Sequence, residues 1–329
     1  MSRILLITGP GGEAQGWGNM AVTQEIAKAI NGSGKSCDIA SVSNMDELIR
    51  ELDTRKFDLV WSALYHVTEN EATIGMGESG EEWVADILDK RQIPYIGPDA
   101  ATMKALIHKT ATHNILAKAG VPVPYHYEIE QGQDLPDLMF PAFVKPSFES
   151  RSVGISDNSV VHTLEELKAQ VGFIHENYDQ PALVEEYLPG QEYTVLMLGN
   201  GAYQEFLPGM VTVDPKLLGK YPILSADLRG VGATKIEPAG DLSEKIIDVT
   251  AKAMNALNCL DHVRADMRLD SQGNVKIIEV NGIPGLKPVK SWSPQLYTLH
   301  HASKKGAMED YRALIDHIVS SALARYGIA

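Results

Sequence analysis

Over residues 1–100, short apolar runs alternate with amphipathic stretches of helical period. Strand-like runs at 3–8, 37–42, 58–62 and 94–96 are separated by segments at 20–30, 45–52 and 81–90, where apolar residues recur every three or four positions. That alternation predicts a small parallel sheet with helices on its faces. A second block, 101–180, opens with a helix at 108–119, closed by Gly120 with Pro122 and Pro124 beyond it. A strand at 142–145, a Gly/Ser loop and a helix at 164–175 follow. Thr163 and Glu166 form a capping box for that helix, and Leu164, Leu167, Val171 and Ile174 share one face suited to packing.

The third block, 181–329, holds strands at 182–187 and 193–198, a helix at 243–258, a hairpin at 264–285 and a final helix at 308–325. Residues 208–240 are rich in Gly and Pro and have no clear period. A connection that long in a compact domain is usually a lid or a binding loop.

Composition narrows the functions. The chain has 329 residues, 44% of them hydrophobic, so it buries a sizeable core. Its net charge is −14 and its basic residues form no run, which excludes a nucleic-acid partner but not a nucleotide with its metal ion. No stretch approaches the roughly 18 apolar residues of a membrane span. The opening "MSRILLITGP" has a short apolar run and no small-residue cleavage site, so it reads as a strand rather than a targeting segment. Cys37 and Cys259 are distant and lack a C-x-x-C partner. Neither a disulfide framework nor a zinc site is indicated, and a reducing cytoplasm is the expected compartment.

Three stretches interrupt the packing pattern. In "RADMRLDSQGNVKIIEVNGIPG", pairing Asp266 with Glu279 sets Arg264 opposite Asn281 and Arg268 opposite Ile277. Cross-strand partners share a face, so Arg264, Asp266, Arg268, Glu279 and Asn281 point one way. Val263, Ala265, Met267, Leu269, Ile278 and Val280 point the other way, into a core. Two carboxylates and an amide oxygen together suit a hard cation, with an arginine beside them for developing charge; a solvated hairpin face is the other reading. In "FVKPSFESRSVGIS", Lys145 ends a strand and small residues follow whose N–H groups suit a phosphate, although a polar turn has the same composition. In "ALVEEYLPGQEYTV", Glu185, Glu186 and Glu192 flank a Pro-Gly turn, which an exposed edge strand also explains.

The order of these stretches, with "HK…AGVPVP" before them, resembles the D-alanine-D-alanine ligase group of the ATP-grasp superfamily over residues 93–294. The resemblance implies an α/β protein of three-domain ATP-grasp architecture. Its parts are an N-terminal parallel α/β domain (1–100) and two α+β lobes (101–180 and 181–329) that clamp ATP. It further implies that Lys109 and Lys145 contact phosphates and that Ser152 covers the γ-phosphate. Glu185 accepts from the adenine amino group, the backbone of Glu186 and Leu188 reads the adenine edge, and Glu192 takes the ribose hydroxyls. Asp266, Glu279 and Asn281 correspond to ligands of two Mg²⁺ ions, with Mn²⁺ as the alternative metal. Arg264 and the Gly285 N–H steady the phosphoryl group and the tetrahedral intermediate. The implied reaction joins a carboxylate to an amine, both from small molecules such as amino acids, through an acyl phosphate with release of ADP and phosphate. A homodimer is expected.

The substrate end departs from the family pattern. Glu13 in "GPGGEAQGWGN" is a candidate stand-in for the acid that holds the first substrate's ammonium, although a glycine-rich turn after a first strand is equally a structural feature of α/β domains, and Arg151 replaces the first of two lid serines. Lys220 and Tyr221 substitute for the family's Lys-Tyr pair, and "LKPVKSW" offers Lys287, Lys290 and Ser291 after the hairpin. The expectations are therefore a D-alanine-D-alanine or related amino-acid ligase, a ligase for a non-alanine, acidic substrate, or a non-catalytic nucleotide-binding module.

Overall fold

The computed structural model describes residues 1–74, 83–228 and 233–328. Positions 81–82 of the expected helix and 229–232 of the long loop lie outside them. The first sheet is parallel, in the order β2-β1-β3, with β1 (Arg3–Thr8), β2 (Ser36–Ser41) and β3 (Leu59–Ser62). β1 is apolar almost throughout because helices cover both faces of a parallel sheet. Around it lie α1 (Gly12–Gln15), α2 (Met20–Gly32), α3 (Met45–Thr54) and α4 (Val84–Lys90). Asn19 and Asn44 cap α2 and α3 through their side-chain oxygens. The run at 94–96 is not a strand: Tyr95 makes a single bridge to Val60.

The helix at 108–119 is the second of two, α5 (Ala100–Ile107) and α6 (Lys109–Lys118). The second sheet has the order β4-β7-β5-β6, with β4 (His126–Ile129), β5 (Ala142–Pro146), β6 (Val160–Val161) and β7 (Ala182–Glu186). Alternation decides its two faces. Ala142, Val144, Ala182 and Val184 pack on Leu167, Val171 and Ile174 of α7 (Leu164–Tyr178); Phe143, Lys145 and Glu185 face a cleft. Leu164 is exposed rather than packed, and the Glu166 carboxylate bonds the N–H of His162, one residue before Thr163.

The third sheet is antiparallel, in the order β10-β9-β8-β11-β12. Its strands are β8 (Glu192–Leu198), β9 (Glu205–Val213), β10 (Thr234–Glu237), β11 (His262–Leu269) and β12 (Val275–Asn281). The aperiodic segment 208–240 therefore ends in two paired strands. Pro208 hid the first of them, and it is tolerated because β10 reaches only Met210 to Val213, leaving the Pro208 carbonyl to accept from His300. α8 (Ser243–Ala256), α9 (Trp292–His301) and α10 (Ala307–Arg325) complete the fold. α9 was not expected. Leu314, Ile315, Ile318 and Val319 of α10 share a core with Ile26 and Ile30 of α2, so the last helix closes the first core.

The hairpin register holds for Arg264 with Asn281 and Asp266 with Glu279, then slips: Met267 pairs with Ile277 and Arg268 with Lys276. A bulge at Ile278 is the cause. One inserted residue shifts the alternation on its own strand only. Ile277 consequently joins Met267 in the core, while Ile278 and Glu279 both line the cleft.

His262 opens β11 in the core, edge-on to Trp61 at 6.4 Å. Burial first, and the Arg264 charge second, push its pKa from 6.5 down to about 3. Between those values the unfolded chain takes up a proton that the folded chain refuses, so stability falls with pH by about 1.4 kcal/mol per unit across that window. The urea midpoint is expected to drop clearly between pH 7.5 and pH 5, and to drop less in His262→Phe. An equal drop in the variant would show that the slope arises elsewhere.

Candidate active site

Two chambers meet over the hairpin. The first, of about 760 Å³, lies between the second and third sheets. Lys109, Lys145, Ser152, Glu185, Glu186, Leu188 and Glu192 all line it, with Phe143, Ile223, Leu224, Ile278 and Arg268. The second, larger one is lined by Glu13, Arg151, Arg264, Asn281, Gly285, Lys290 and Ser291. Lys109, Ser150 and Glu279 line both. Tyr221 lines neither: its hydroxyl meets His162 Nε2 at 2.7 Å. Ile223 and Leu224 of the same segment line the first chamber instead.

Pairing across β5 and β7 sets Phe143 opposite Glu185 and Lys145 opposite Leu183, so Lys145 and Glu185 are diagonal neighbours on the cleft face. Lys145 Nζ lies 2.7 Å from Glu185 Oε2 and 3.3 Å from the Ile278 carbonyl. The other Glu185 oxygen is buried without a hydrogen bond. It faces His113 at 3.3 Å, yet burial first, then the Lys145 charge, hold that imidazole well below 6.5 and neutral. No ion pair forms there. His113 was missed in the sequence, although it stands four residues after Lys109 on α6 and shares its face.

The Glu186 carboxylate pairs with Lys276, and its N–H donates to the Tyr125 carbonyl at 2.8 Å. Its N–H is thus engaged within the second sheet. Ile278, Phe143, Leu188 and Leu224 provide apolar walls, Glu192 an acceptor and Lys109 and Lys145 cations. These residue types fit a purine nucleotide with its phosphates toward the second chamber.

On the hairpin, Arg264 donates through Nε and Nη2 to the two Asp266 oxygens at 2.9 and 2.7 Å. Thr194 and Asn281 bond the same carboxylate at 2.7 and 3.1 Å. Burial works against the Arg264 charge, but Asp266 overrides it and raises the arginine above its ordinary value. Lys109 Nζ is 3.3 Å from Glu279 and also donates to the Glu149 carbonyl. Asp266, Glu279 and Asn281 offer hard oxygen donors on paired strands, a set that fits Mg²⁺. Among the described residues no cluster of three or more His, Cys, Asp or Glu is gathered for a metal.

The lid, 147–155, is folded over both chambers. Arg151 and Ser152 are left-handed, with φ of 56° and 61°. Gly154 is also left-handed, and a Cβ there would lie 2.6 Å from Pro146. Ser150 Oγ donates to the Ala14 carbonyl at 3.2 Å, and Arg151 to the Glu13 carbonyl at 2.7 Å and its carboxylate at 3.4 Å. Buried Glu149 accepts from Ile74 N and Gln180 Nε2, both at 2.9 Å. In the glycine-rich turn, Gln15 binds the backbone of Tyr65 and His66. At Gly16 a Cβ would strike the Ala63 carbonyl at 2.0 Å, so this glycine serves close packing.

His66 is buried against the Ile74 carbonyl, and its neighbour Tyr65 lines the second chamber. The Tyr65 hydroxyl accepts from Gly282 N at 3.0 Å and Ile283 N at 3.1 Å, fixing the turn that follows Asn281. No sequence signal marked it. Tyr65→Phe leaves two buried N–H groups without their acceptor, so a stability loss of about 1–3 kcal/mol is expected. A fall in kcat with the KM for ATP unchanged should accompany it. Steady-state kinetics and urea unfolding check both, and an unchanged kcat would free Tyr65 of this role.

This architecture is shared with solved structures. The crystal structure of D-alanine--D-alanine ligase from Bacillus anthracis complexed with ATP matches with a TM-score of 0.73 at 19% identity, covering 99% of both chains. The fold is therefore ATP-grasp. The family model for the D-ala D-ala ligase C-terminus matches residues 116–320. The uncharacterized protein y4sG of Sinorhizobium fredii is 31% identical, with 76% of this chain and 72% of that protein covered. The D-alanine--D-alanine ligase of Aquifex aeolicus is also 31% identical, with 74% and 78% covered. The chain belongs to the D-alanine-D-alanine ligase family and is an ATP-dependent, ADP-forming ligase.

Proposed function

We propose that the first chamber holds ATP, that Mg²⁺ sits on Asp266, Glu279 and Asn281, and that the second chamber holds a carboxylate and an amine that become linked. The observation that carries this reading is the shared wall: Lys109 and Glu279 line both chambers, so the γ-phosphate and the substrate carboxylate that takes it up meet on one cation–carboxylate pair. The products are a dipeptide or a related amide, with ADP and phosphate. D-Alanine is the reference substrate by kinship, and the chain's own residues define how far it departs. The metal, when bound, neutralises phosphate charge.

Lys145 and Lys109 hold the phosphates, the lid excludes water, and Arg264 faces the charge that moves from the γ-phosphate to the acyl oxygen. The Gly285 N–H donates to that oxygen in the second step. The residue division at 100, a homodimer and a cytoplasmic setting belong to the same reading, whereas the division expected at 180 moves past β7, which pairs with β4 and β5 in the second sheet. No described helix is long and apolar enough to cross a membrane.

Phosphate release from ATP across D- and L-amino acids, singly and in pairs, with products weighed by mass spectrometry, tests the reading. One pair should stimulate release and give a condensed product. Chelation should stop it, and Mg²⁺ or Mn²⁺ restore it. No stimulation by any pair would leave the non-catalytic module.

A further inference from the structure

We propose that the amine substrate is a dicarboxylic amino acid, whose extra carboxylate is met by Lys287 and Lys290. The inference rests on the ligase reading and deepens it. It begins from the charges around the second chamber. Lys109, Arg151, Arg264, Lys287 and Lys290 line it, against the carboxylates of Glu13 and Glu279. Glu13 is engaged by Arg151, Glu279 by Lys109, and Asp266, behind the wall, by Arg264. Lys287 and Lys290 make no ion pair among the described residues.

One chamber thus carries surplus positive charge in a protein of net charge −14. Such a concave, locally cationic site in an otherwise repelling field concentrates anions. A pair of neutral amino acids presents the acceptor's α-carboxylate and leaves a lysine over. A second carboxylate on the amine substrate uses both.

The backbone between the lysines is held in an unusual shape. Val289 has a φ of 63°, and Lys290 N donates to the Pro288 carbonyl at 2.7 Å, a γ-turn with a left-handed centre. A β-branched residue is strained there, and such strain collects at ligand clamps. Further bonds over-determine the loop: Lys287 N to Ser291 Oγ and Ser291 N to the Lys287 carbonyl, both at 3.0 Å, and Gln295 Nε2 to the Lys290 carbonyl at 2.7 Å. The loop leads into Trp292, whose ring carries the Arg264 guanidinium at 5.0 Å. The two lysines therefore belong to the wall that adjoins the reacting end. Glu13, the nearest stand-in for an ammonium acceptor, already has Arg151 as its counter-ion, so anions rather than extra amines suit this chamber.

The test uses the full chain with ATP, Mg²⁺ and a fixed carboxylate donor, and compares aspartate with asparagine and glutamate with glutamine in both stereochemical series. The acid member of a pair should have a kcat/KM at least about tenfold above its amide, mainly through KM, and added salt should shrink the ratio. Lys287→Met with Lys290→Met should bring the ratio near unity, and Lys290→Glu should invert it. A misfolded variant loses both rates but does not invert their ratio. Equal rates within each pair, or a preference that survives the double variant, would overturn the proposal. ADP formation with neutral amino acids alone leaves the ligase reading standing and removes this one. No ADP formation with any amino acid removes both.

Discussion

Arg264→Met is expected to lower ADP formation about a thousandfold or more, the scale of an arginine that neutralises a transferring phosphoryl group. The side chain is buried and aimed by its bidentate bond to Asp266, so the charge stands ready without reorganisation. Arg264→Lys keeps the charge but loses the fork, and should recover only part of the rate. Removing the arginine also strands the Asp266 carboxylate, which is 2% exposed, with an expected stability loss of about 3–5 kcal/mol. Arg264→Met combined with Asp266→Asn should restore much of that stability and none of the activity. Single-turnover kinetics with urea unfolding separate the two effects. A rate within tenfold of the parent would rule out the assigned role.

Lys145→Met is the second large effect. Its ammonium is the cation 2.7 Å from Glu185 and stands beneath the lid where phosphates would lie. The substitution keeps length and volume and removes the charge. The kcat/KM for ATP should fall at least about a hundredfold. Stability should fall by about 3 kcal/mol, because Glu185 is left buried beside a neutral imidazole. ATP binding measured by calorimetry at unchanged affinity would contradict the placement.

Much of this was legible in the sequence because it was local. β-Strand alternation put Lys145, Asp266 and Glu279 on polar faces against apolar partners, and caps such as Thr163 marked a helix start. The order of short motifs did the rest, since Lys109, Lys145, Glu185, Glu192 and the hairpin acids recur at the spacing of one family. Residues whose role depends on a distant partner gave no such sign. Tyr65 matters because its hydroxyl reaches two N–H groups across the fold at Gly282 and Ile283, and His113 because folding sets it against Glu185.

By itself, then, the chain determined the types of its periodic elements, its nucleotide chemistry and its family, written in periods of two and about 3.6 residues and in motif order, but not β9, β10 or α9. Only the tertiary structure decided the bulge that turns Ile278 into the cleft, the use of Ile223 and Leu224 rather than Tyr221 over a chamber, and the closure of the first core by α10. It also decided the charge balance of the second chamber, where Arg151 meets Glu13 and two lysines have no ion pair among the described residues. The physical reason is common to all of them. Periodicity reports which face of an element is apolar, whereas pairing of charges, burial of hydrogen-bond donors and insertion of one residue into a ladder depend on what lies opposite in space.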